Sequence, residues 1–401
     1  MLNWKDSFPI FQNLPNLRYF DNASTSQTPQ SVLDAMNAYY ETYRANTGRG
    51  EYTLTDTATH AVSVAREQVA DLINVPSNHV FFTSGTTDSL NRIAQWCSSY
   101  DVVIVTEAEH NANIIPWLTQ GRTQKNGRLK VLSINDHTGY VNIDELDSVL
   151  AELEGSVLLS FCATSNVTGI TQPWETMTDI AHKHGCSVAI DFCQTVAHEK
   201  IDLTVTPVEW ACFSAHKMYG PTGVGALYTA FDAEDLTAIR YGGGAVEHVS
   251  FDDVVYADNV DKHEPGTPNI AGIVGFGVAA EMINYVGYSK LQESEVEVAV
   301  NLLSYGFDDL PNCRLYCHTV DPTGPRSIYS FVPTVGHSHD VAVQLAHSGV
   351  AVRTGKVCAH PLVNRISPNK GIVRVSIAPY NDLDDCRELV SHLRSALMKL
   401  V

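Results

Sequence analysis

The stretch WACFSAHKMYGPTG (210–223) joins a short apolar run to a polar loop and a Gly-Pro turn. Its first four residues have the composition of a buried strand, and Ser214, His216 and Lys217 follow almost directly. Most lysines lie on solvated surfaces, so a lysine just behind an apolar strand is unusual. Apolar surroundings disfavour the charged form, and the neutral amine is a nucleophile that forms a Schiff base. Taken alone, Lys217 is also consistent with an ordinary surface lysine.

The same pattern of an apolar run with polar residues behind it recurs along the chain. The runs are VFF (80–82), VVIV (102–105), SVLLSF (156–161), SVAI (187–190) and ACF (211–213). Strands that are apolar throughout and are separated by helices indicate a parallel sheet covered on both faces. We therefore predict an α/β fold whose large domain is a three-layer α/β/α sandwich with a mainly parallel sheet.

Polar residues that follow the predicted strands are the candidates for a binding site. In sheets of this kind, ligands bind beyond the carboxyl ends of the strands. We expect the following residues to lie close together there: Ser84, Gly85, Thr86, Thr87, His110, Asn166, Asp191, Gln194 and Lys217.

The composition of the chain changes at about residue 286. A charged helical segment, SKLQESEVEVAVNLL (289–303), is followed by shorter strands and by the amphipathic segment CRELVSHLRSALMKL (386–400). We predict a large domain over 21–285 and a smaller α+β domain formed by 1–20 and 286–401.

Charge and cysteine content argue against several classes of protein. The formal net charge is −19 and no Lys/Arg cluster is present, which disfavours a nucleic-acid partner. The first residues lack the cationic and apolar segments of a secretory signal, and the most apolar window, 270–280, is too short to span a membrane. Nine cysteines without a CxxC pair argue against a disulfide framework or a zinc ribbon, so we expect reduced thiols, no metal and a cytoplasmic protein.

Four features of the chain fit one organic cofactor. SGTTDSLNRIAQW (84–96) opens a predicted helix with hydroxyls and free N–H groups, which suits a phosphate, although a plain N-cap is the alternative. Asp191 ends a strand and could serve as a helix cap, a metal ligand or the partner of a cationic ring nitrogen. Together with Lys217 and the flat imidazole of His110, these groups are what pyridoxal phosphate (PLP) requires.

The chain resembles the class V aminotransferase-fold PLP enzymes of fold type I, and more narrowly the SufS-type cysteine desulfurases. The similarity runs from FPIFQNLPNLRYFDNAST (8–25) to the C-terminus. The resemblance implies that Lys217 is the imine lysine and that His110 stacks on the PLP ring. It also implies that Asp191 contacts the ring nitrogen of PLP and that Gln194 contacts its phenolic oxygen. Asn166 would contact both the cofactor and the substrate. The phosphate would be held by Thr86, Thr87, Ser214 and His216. Thr267, in HEPGTPN, resembles a threonine that reaches the phosphate of the other subunit, which implies a homodimer.

The segment VRTGKVCAHPL (352–362) resembles the family pattern R-x-G-x-x-C. The resemblance implies that Arg353 grips the α-carboxylate of L-cysteine, with Arg374 as a second arginine and Arg49 also near the substrate. Cys358 would be the nucleophile that takes the sulfur as a persulfide and passes it to an acceptor protein, while L-alanine leaves. Lys356 and His360 are near enough in sequence to favour its thiolate. This function belongs to sulfur metabolism, for example iron–sulfur cluster assembly.

The chain departs from the family pattern at several positions. Phe192 and Cys193 replace small residues beside Asp191, Gly48 replaces an imidazole, Lys356 and Val357 replace two histidines, and Pro265 stands where alanine is common. Two alternatives therefore stay open. One is another class V PLP enzyme, such as a C–S lyase, an epimerase or an aminotransferase, acting on a different amino acid or on selenocysteine. The other is a binding module that has lost catalysis.

Overall fold

The computed structural model describes residues 4–123, 128–317 and 327–400. The strands are β1 Arg18–Tyr19, β2 Val80–Thr83, β3 Val102–Thr106, β4 Arg128–Leu132, β5 Val157–Cys162, β6 Ser187–Asp191, β7 Trp210–Ser214, β8 Gly225–Thr229, β9 Val246–Val249, β10 Val254–Tyr256, β11 Cys313–Leu315, β12 Ile328–Pro333, β13 Val350–Ala351, β14 Arg353–Gly355 and β15 Ile372–Ser376.

The helices alternate with these strands along most of the chain. They are α1 Pro9–Asn13, α2 Gln30–Thr42, α3 Thr53–Asp71, α4 Thr86–Trp96, α5 Ile115–Thr123, α6 Ile143–Ala151, α7 Trp174–Lys183, α8 Ile270–Val286, α9 Tyr288–Ser304, α10 Ser338–His347, α11 His360–Ile366 and α12 Leu383–Met398.

The centre of the molecule is a seven-stranded sheet in the order β2-β8-β7-β6-β5-β3-β4. Strands β3 to β7 pair in parallel, whereas β8 is antiparallel to both of its neighbours. The predicted α/β fold with a mainly parallel sheet is confirmed, and each predicted apolar run is a strand. Strand β8 was not predicted. Its first residue, Gly225, allows the strand to lie directly against Gly85. A Cβ there would lie 2.7 Å from the Cα of Gly85, so only glycine allows these two chain segments to touch.

A second, antiparallel sheet has the order β11-β12-β15-β14 and packs with α9, α10 and α12. It has a core of its own, in which Phe307 contacts Tyr329 and Phe331 with the rings edge to face. The N-terminal segment contacts both parts of the molecule. Phe8 belongs to the large core, and β1 pairs with β13 beside the second sheet. The predicted domain boundary falls next to Gly287, between α8 and α9.

Helix α8 is the most apolar helix and packs between α2 and α3. Across the described ranges, no single helix is long and apolar enough to cross a membrane. Helices α8 and α9 meet that test only when taken together, and they are bent by 83° relative to each other.

A buried ion pair joins the segment behind β6 to helix α9. The Nδ1 of His198 lies 2.6 Å from Oε1 of Glu295, whose side chain is 1% exposed. Burial by itself lowers the pKa of His198, but the charge and the hydrogen bond of Glu295 outweigh it and raise that pKa above its usual value. The pair therefore stabilises the folded chain most when the imidazole is protonated.

We expect Glu295→Gln to lower stability more at pH 6 than at pH 8.5. A histidine with a raised pKa contributes stability that is complete below its unfolded-state pKa and is lost as the pH rises through its folded-state pKa. Removing one partner of a buried ion pair lowers the free energy of unfolding by about 3–5 kcal/mol. We expect a decrease of this size at pH 6. Urea unfolding midpoints at both pH values measure this, with His60→Gln on the exposed face of α3 as the control. An equal loss at both pH values would contradict the assignment.

Candidate active site

A cavity of about 450 Å³ lies at the carboxyl edge of the parallel strands. It is lined by Ala23, Ser24, Ser84, Gly85, Thr86, Thr87, Asp88, His110, Ala112, Asn166, Asp191, Cys193, Ser214, His216, Lys217, Arg353, Val357, Cys358 and Arg374. These residues come from the large sheet, from the N-terminal segment and from the second sheet. The structure therefore brings together most of the side chains that the sequence predicts for the site.

The start of helix α4 forms one wall of this cavity. The N–H of Thr86 donates to Oγ of Ser214 at 2.7 Å, and the two hydroxyls lie 2.8 Å apart. Gly85 has a φ of +141°, and a Cβ on it would lie 3.2 Å from the Ser214 hydroxyl, so glycine keeps this corner open. Asp88 also lines the wall, but its charge is balanced by Arg92 at 2.9 Å and Arg240 at 3.3 Å. A helix N-terminus with two hydroxyls suits a phosphate.

Asp191 ends strand β6 inside the cavity. Burial raises the pKa of its carboxyl group, and the charge of Lys217 and the N–H of Cys193, which donates at 2.8 Å, oppose that rise. A buried carboxylate of this kind favours a cationic partner. Lys217 itself is half-buried and lines the cavity together with polar side chains, and the expectation of apolar surroundings stays a prediction. Among the residues that the structure describes, no group of three or more His, Cys, Asp or Glu side chains is arranged to hold a metal.

The two imidazoles of the cavity are neutral. Burial, then the charges of Lys217 and Arg374, lower the pKa of His110 to about 4. Its Nδ1 accepts the N–H of Ala112 at 3.1 Å, which leaves its proton on Nε2 and fixes the plane of the ring. Burial and Lys217 also lower the pKa of His216 to about 4. A neutral imidazole held in one orientation can stack on a flat ligand.

Two arginines from the second sheet reach the cavity, and Asp21 holds both. Arg353 lies at the rim, with Nη2 2.7 Å from Oδ2 of Asp21. Arg374 is buried and binds Oδ1 of Asp21 at 3.4 Å, Oγ of Ser24 at 2.6 Å and the carbonyl of Asn166 at 3.0 Å. Burial lowers the pKa of Arg374 to about 10, so it remains charged at neutral pH. Arg374, predicted as the second arginine, is thus the more rigidly placed of the two.

Two polar atoms near these arginines have no hydrogen-bond partner within the described residues. They are Nε of Arg374, a donor, and Oδ1 of Asn166, an acceptor, and both are buried. Buried polar atoms normally have partners, so an unpaired donor next to an unpaired acceptor is a fitting place for a polar ligand. An amino acid, which carries a carboxylate and an amino group, has the complementary chemistry.

Cys358 lies on the loop between β14 and α11, with its side chain exposed to the cavity. Val357 and Cys358 both have left-handed backbones, with φ values of +41° and +54°. Such a conformation is rare for a β-branched residue. The ammonium of Lys356 is occupied by the carbonyls of Ser367 and Pro368, at 3.2 and 2.9 Å. These contacts direct the Lys356 ammonium to main-chain carbonyls, so they do not support its expected effect on the Cys358 thiol.

Gln194, Arg49 and Thr267 do not line the cavity of the single chain. The amide of Gln194 donates to the carbonyl of Ala23 at 2.8 Å. Arg49 is exposed and donates to the carbonyl of Val246 at 3.0 Å, and Thr267 is exposed. The roles of these three residues stay predictions.

Sequence reasoning missed Asp21, Ser24 and Glu109. Asp21 stands directly behind strand β1 in FDNAST, where a carboxylate next to an aromatic residue is the only local signal. Glu109 precedes His110 and accepts hydrogen bonds from Thr106 and from the N–H of Cys162. Burial raises its pKa to about 7, although those hydrogen bonds oppose the rise. Glu109 ties the His110 loop to the end of strand β5.

The sheet and its strand-end cavity define an α/β protein with a candidate active site at the carboxyl ends of its parallel strands. A model of the aminotransferase class-V family matches residues 18–389, and the chain belongs to that family. It is 34% identical to a probable cysteine desulfurase of Vibrio cholerae, over 97% of this chain and 96% of that protein. The predicted class V membership is thereby confirmed, while the SufS-type subgroup stays a prediction.

Solved structures agree with this family. The apo cysteine desulfurase of Thermococcus onnurineus NA1 superposes with a TM-score of 0.91 at 27% identity, covering 99% of this chain and 98% of that one. The Escherichia coli cysteine desulfurase CsdA in its S-sulfonic acid form gives a TM-score of 0.88 at 30% identity over the same shares of the two chains.

We expect His110 to stay neutral between pH 8 and about 5, and Lys217→Met to raise its pKa. The substitution removes one of the two positive charges that, with burial, hold that pKa at about 4. Nitrogen chemical shifts of the imidazole measure both effects, and Lys356→Met, which removes a lysine whose amine is bonded elsewhere, is the matched control. An unchanged His110 pKa in Lys217→Met would contradict the electrostatic account.

Proposed function

We propose that this chain is a PLP-dependent cysteine desulfurase that converts L-cysteine to L-alanine and leaves a persulfide on Cys358. The observation that carries the proposal is that one cavity contains an amine, a buried carboxylate and an exposed thiol, those of Lys217, Asp191 and Cys358. Relatives that bear the name cysteine desulfurase over nearly their full length support the same activity.

The cavity fits PLP by the chemistry of its groups. The open corner at Gly85, the hydroxyls of Thr86 and Ser214, and the start of α4 suit the phosphate. Asp191, whose pKa burial raises, suits the ring nitrogen, and the fixed imidazole of His110 suits the ring face. Lys217 would hold the aldehyde carbon. When bound, PLP supplies an electron sink for the bonds at the substrate Cα.

The protein's own groups then perform the binding and the proton and sulfur transfers. Arg374, with its unpaired Nε, and Arg353 bind the α-carboxylate of L-cysteine. The amine of Lys217 takes the Cα proton. The thiolate of Cys358 forms an S–S bond with the substrate sulfur as the Cβ–S bond breaks. The electron pair of that bond stays with Cβ, which gains a proton, and Lys217 returns a proton to Cα, so L-cysteine and the Cys358 thiol become L-alanine and a Cys358 persulfide.

We propose further that the protein is a cytoplasmic homodimer that passes its sulfur to an acceptor protein. The hairpin β9–β10 leaves large apolar side chains exposed, among them Val249, Phe251, Val254 and Val255. Exposed apolar patches of this kind favour a protein interface. Thr267 is exposed as well, as a residue that serves a second subunit has to be. Eight described cysteines form no disulfide, which fits a reducing compartment: Cys97, Cys162, Cys186, Cys193, Cys212, Cys313, Cys358 and Cys386.

We expect mass spectrometry after treatment with L-cysteine to find one added sulfur on the peptide that carries Cys358. Cys358→Ser should lose at least about 100-fold in alanine formation, because an unactivated hydroxyl is a far weaker nucleophile than a thiolate. The control is Cys313→Ser, which changes a partly buried thiol in strand β11 outside the cavity lining. Full alanine production by Cys358→Ser would instead favour a C–S lyase.

We expect borohydride to attach PLP covalently to the peptide that carries Lys217, with loss of the visible absorption band of the holoprotein. Ser214→Ala should weaken PLP binding by about tenfold, because one hydrogen bond to a charged group is worth roughly 1.5–3 kcal/mol. Lys356→Ala serves as the lysine control, since its amine is bonded to main-chain carbonyls. A preparation that stays colourless with added PLP would contradict the proposal.

A further inference from the structure

One residue, Asn111, connects the wall of the cavity that carries His110 to the loop that carries Cys358. Its main-chain N–H donates to the carbonyl of Cys358 at 2.6 Å. Its side chain makes two contacts with His360, from Oδ1 to the main-chain N–H at 3.2 Å and from Nδ2 to Nδ1 at 2.8 Å. The two residues are 249 positions apart in sequence. We call this set of three hydrogen bonds the Asn111 clamp.

The Cys358 loop needs such support because its backbone is strained. Val357 and Cys358 are both left-handed, a backbone conformation that non-glycine residues keep only where their surroundings hold it. A hydrogen bond fixes each of the two peptide carbonyls. Nδ2 of Asn166 donates to the Val357 carbonyl at 2.7 Å, and Asn111 donates to that of Cys358. The thiol is therefore displayed in the cavity by contacts with the large domain.

The clamp has only one arrangement of its hydrogen atoms. The main-chain N–H of His360 can only donate, so the side-chain oxygen of Asn111 must face it. The Nδ2 of Asn111 must then donate to Nδ1 of His360, which places the imidazole proton on Nε2. Neither the amide nor the ring can turn over without losing a hydrogen bond, so the clamp holds one geometry of the loop.

We propose that Asn111 is a positioning residue for Cys358, which holds the thiol where it can attack the substrate sulfur. This inference rests on the proposed desulfurase function. Because reacting atoms must approach within about 3–3.5 Å, a displacement of about 1 Å can cost up to about 100-fold in rate. The side chain of Asn111 makes its two hydrogen bonds to His360 and none to the cofactor groups or the arginines, so the clamp affects the sulfur transfer step and leaves the binding of L-cysteine unchanged.

The test is Asn111→Leu, which keeps the main-chain hydrogen bond and removes both side-chain contacts. We expect the kcat for alanine formation to fall by about tenfold to 100-fold, while the KM for L-cysteine and the visible absorption of the holoprotein stay within twofold of wild type. The exposed Asn16→Leu is the matched control. A kcat within twofold of wild type overturns the inference, and so does a fall explained by loss of bound PLP.

A pair of substitutions at His360 separates positioning from a general loss of stability. In His360→Asn the side-chain oxygen takes the place of Nδ1 and can accept from Asn111, whereas in His360→Gln it extends past that point. We expect His360→Asn to keep most of the wild-type kcat and His360→Gln to lose about as much as Asn111→Leu. Equal kcat values for these two variants overturn the inference.

Hydrogen exchange of the holoprotein supplies a readout that does not depend on activity. The amide of His360 bonds to the Asn111 side chain, so the peptide over 357–363 should exchange faster in Asn111→Leu than in wild type. Unchanged exchange overturns the clamp itself. The wild-type protein could form no alanine while the 357–363 peptide still exchanges faster in Asn111→Leu. That result contradicts the proposed desulfurase function and, with it, the role of Asn111 in sulfur transfer. An active wild type with an unaffected variant contradicts only the inference.

Discussion

The parallel pairing of the central strands is the constraint on which the site depends. Strands β5, β6 and β7 lie side by side in one direction, with Cys162 opposite Asp191 and Asp191 opposite Cys212. The residues that follow these strands therefore lie at the same edge of the sheet, although they are far apart in sequence. Each connection between two of these parallel strands returns the chain to the opposite edge, so each of them brings a new segment to the cavity edge.

The charges of the cavity are arranged so that each has a compensating group. Lys217 lies near Asp191, and Asp21 balances the two arginines of the second sheet. The imidazoles of His110 and His216 are neutral because burial and those same cations disfavour their protonation. The site thus offers cations for a carboxylate and a phosphate, one buried anion for a ring nitrogen, and a neutral flat surface.

The second sheet contributes the groups for which we propose contact with the substrate. Arg353, Arg374 and Cys358 all belong to it or to its loops, while the cofactor groups belong to the large sheet. The cavity therefore exists only where the two sheets meet, and long-range contacts must set the distance between the thiol and the remaining groups. Asp21, Asn166 and Asn111 make those contacts, and of these three only Asn166 was predicted from its place behind a strand.

The strands, the class of fold and the meeting of the strand-end residues in one cavity could be predicted from the sequence, because the period of apolar residues and the residue behind each strand are local properties. Lys217, Asp191, Thr86 and His110 each follow an apolar run, and a parallel sheet leaves them one place to meet. Only the tertiary structure decided that β8 runs antiparallel and that Lys217 is half-buried in the lining of the cavity. It also decided that Asp21 joins two arginines and that Asn111 holds the Cys358 loop. These features depend on pairs of residues that lie far apart along the chain, where the pattern around either residue carries no information about the other.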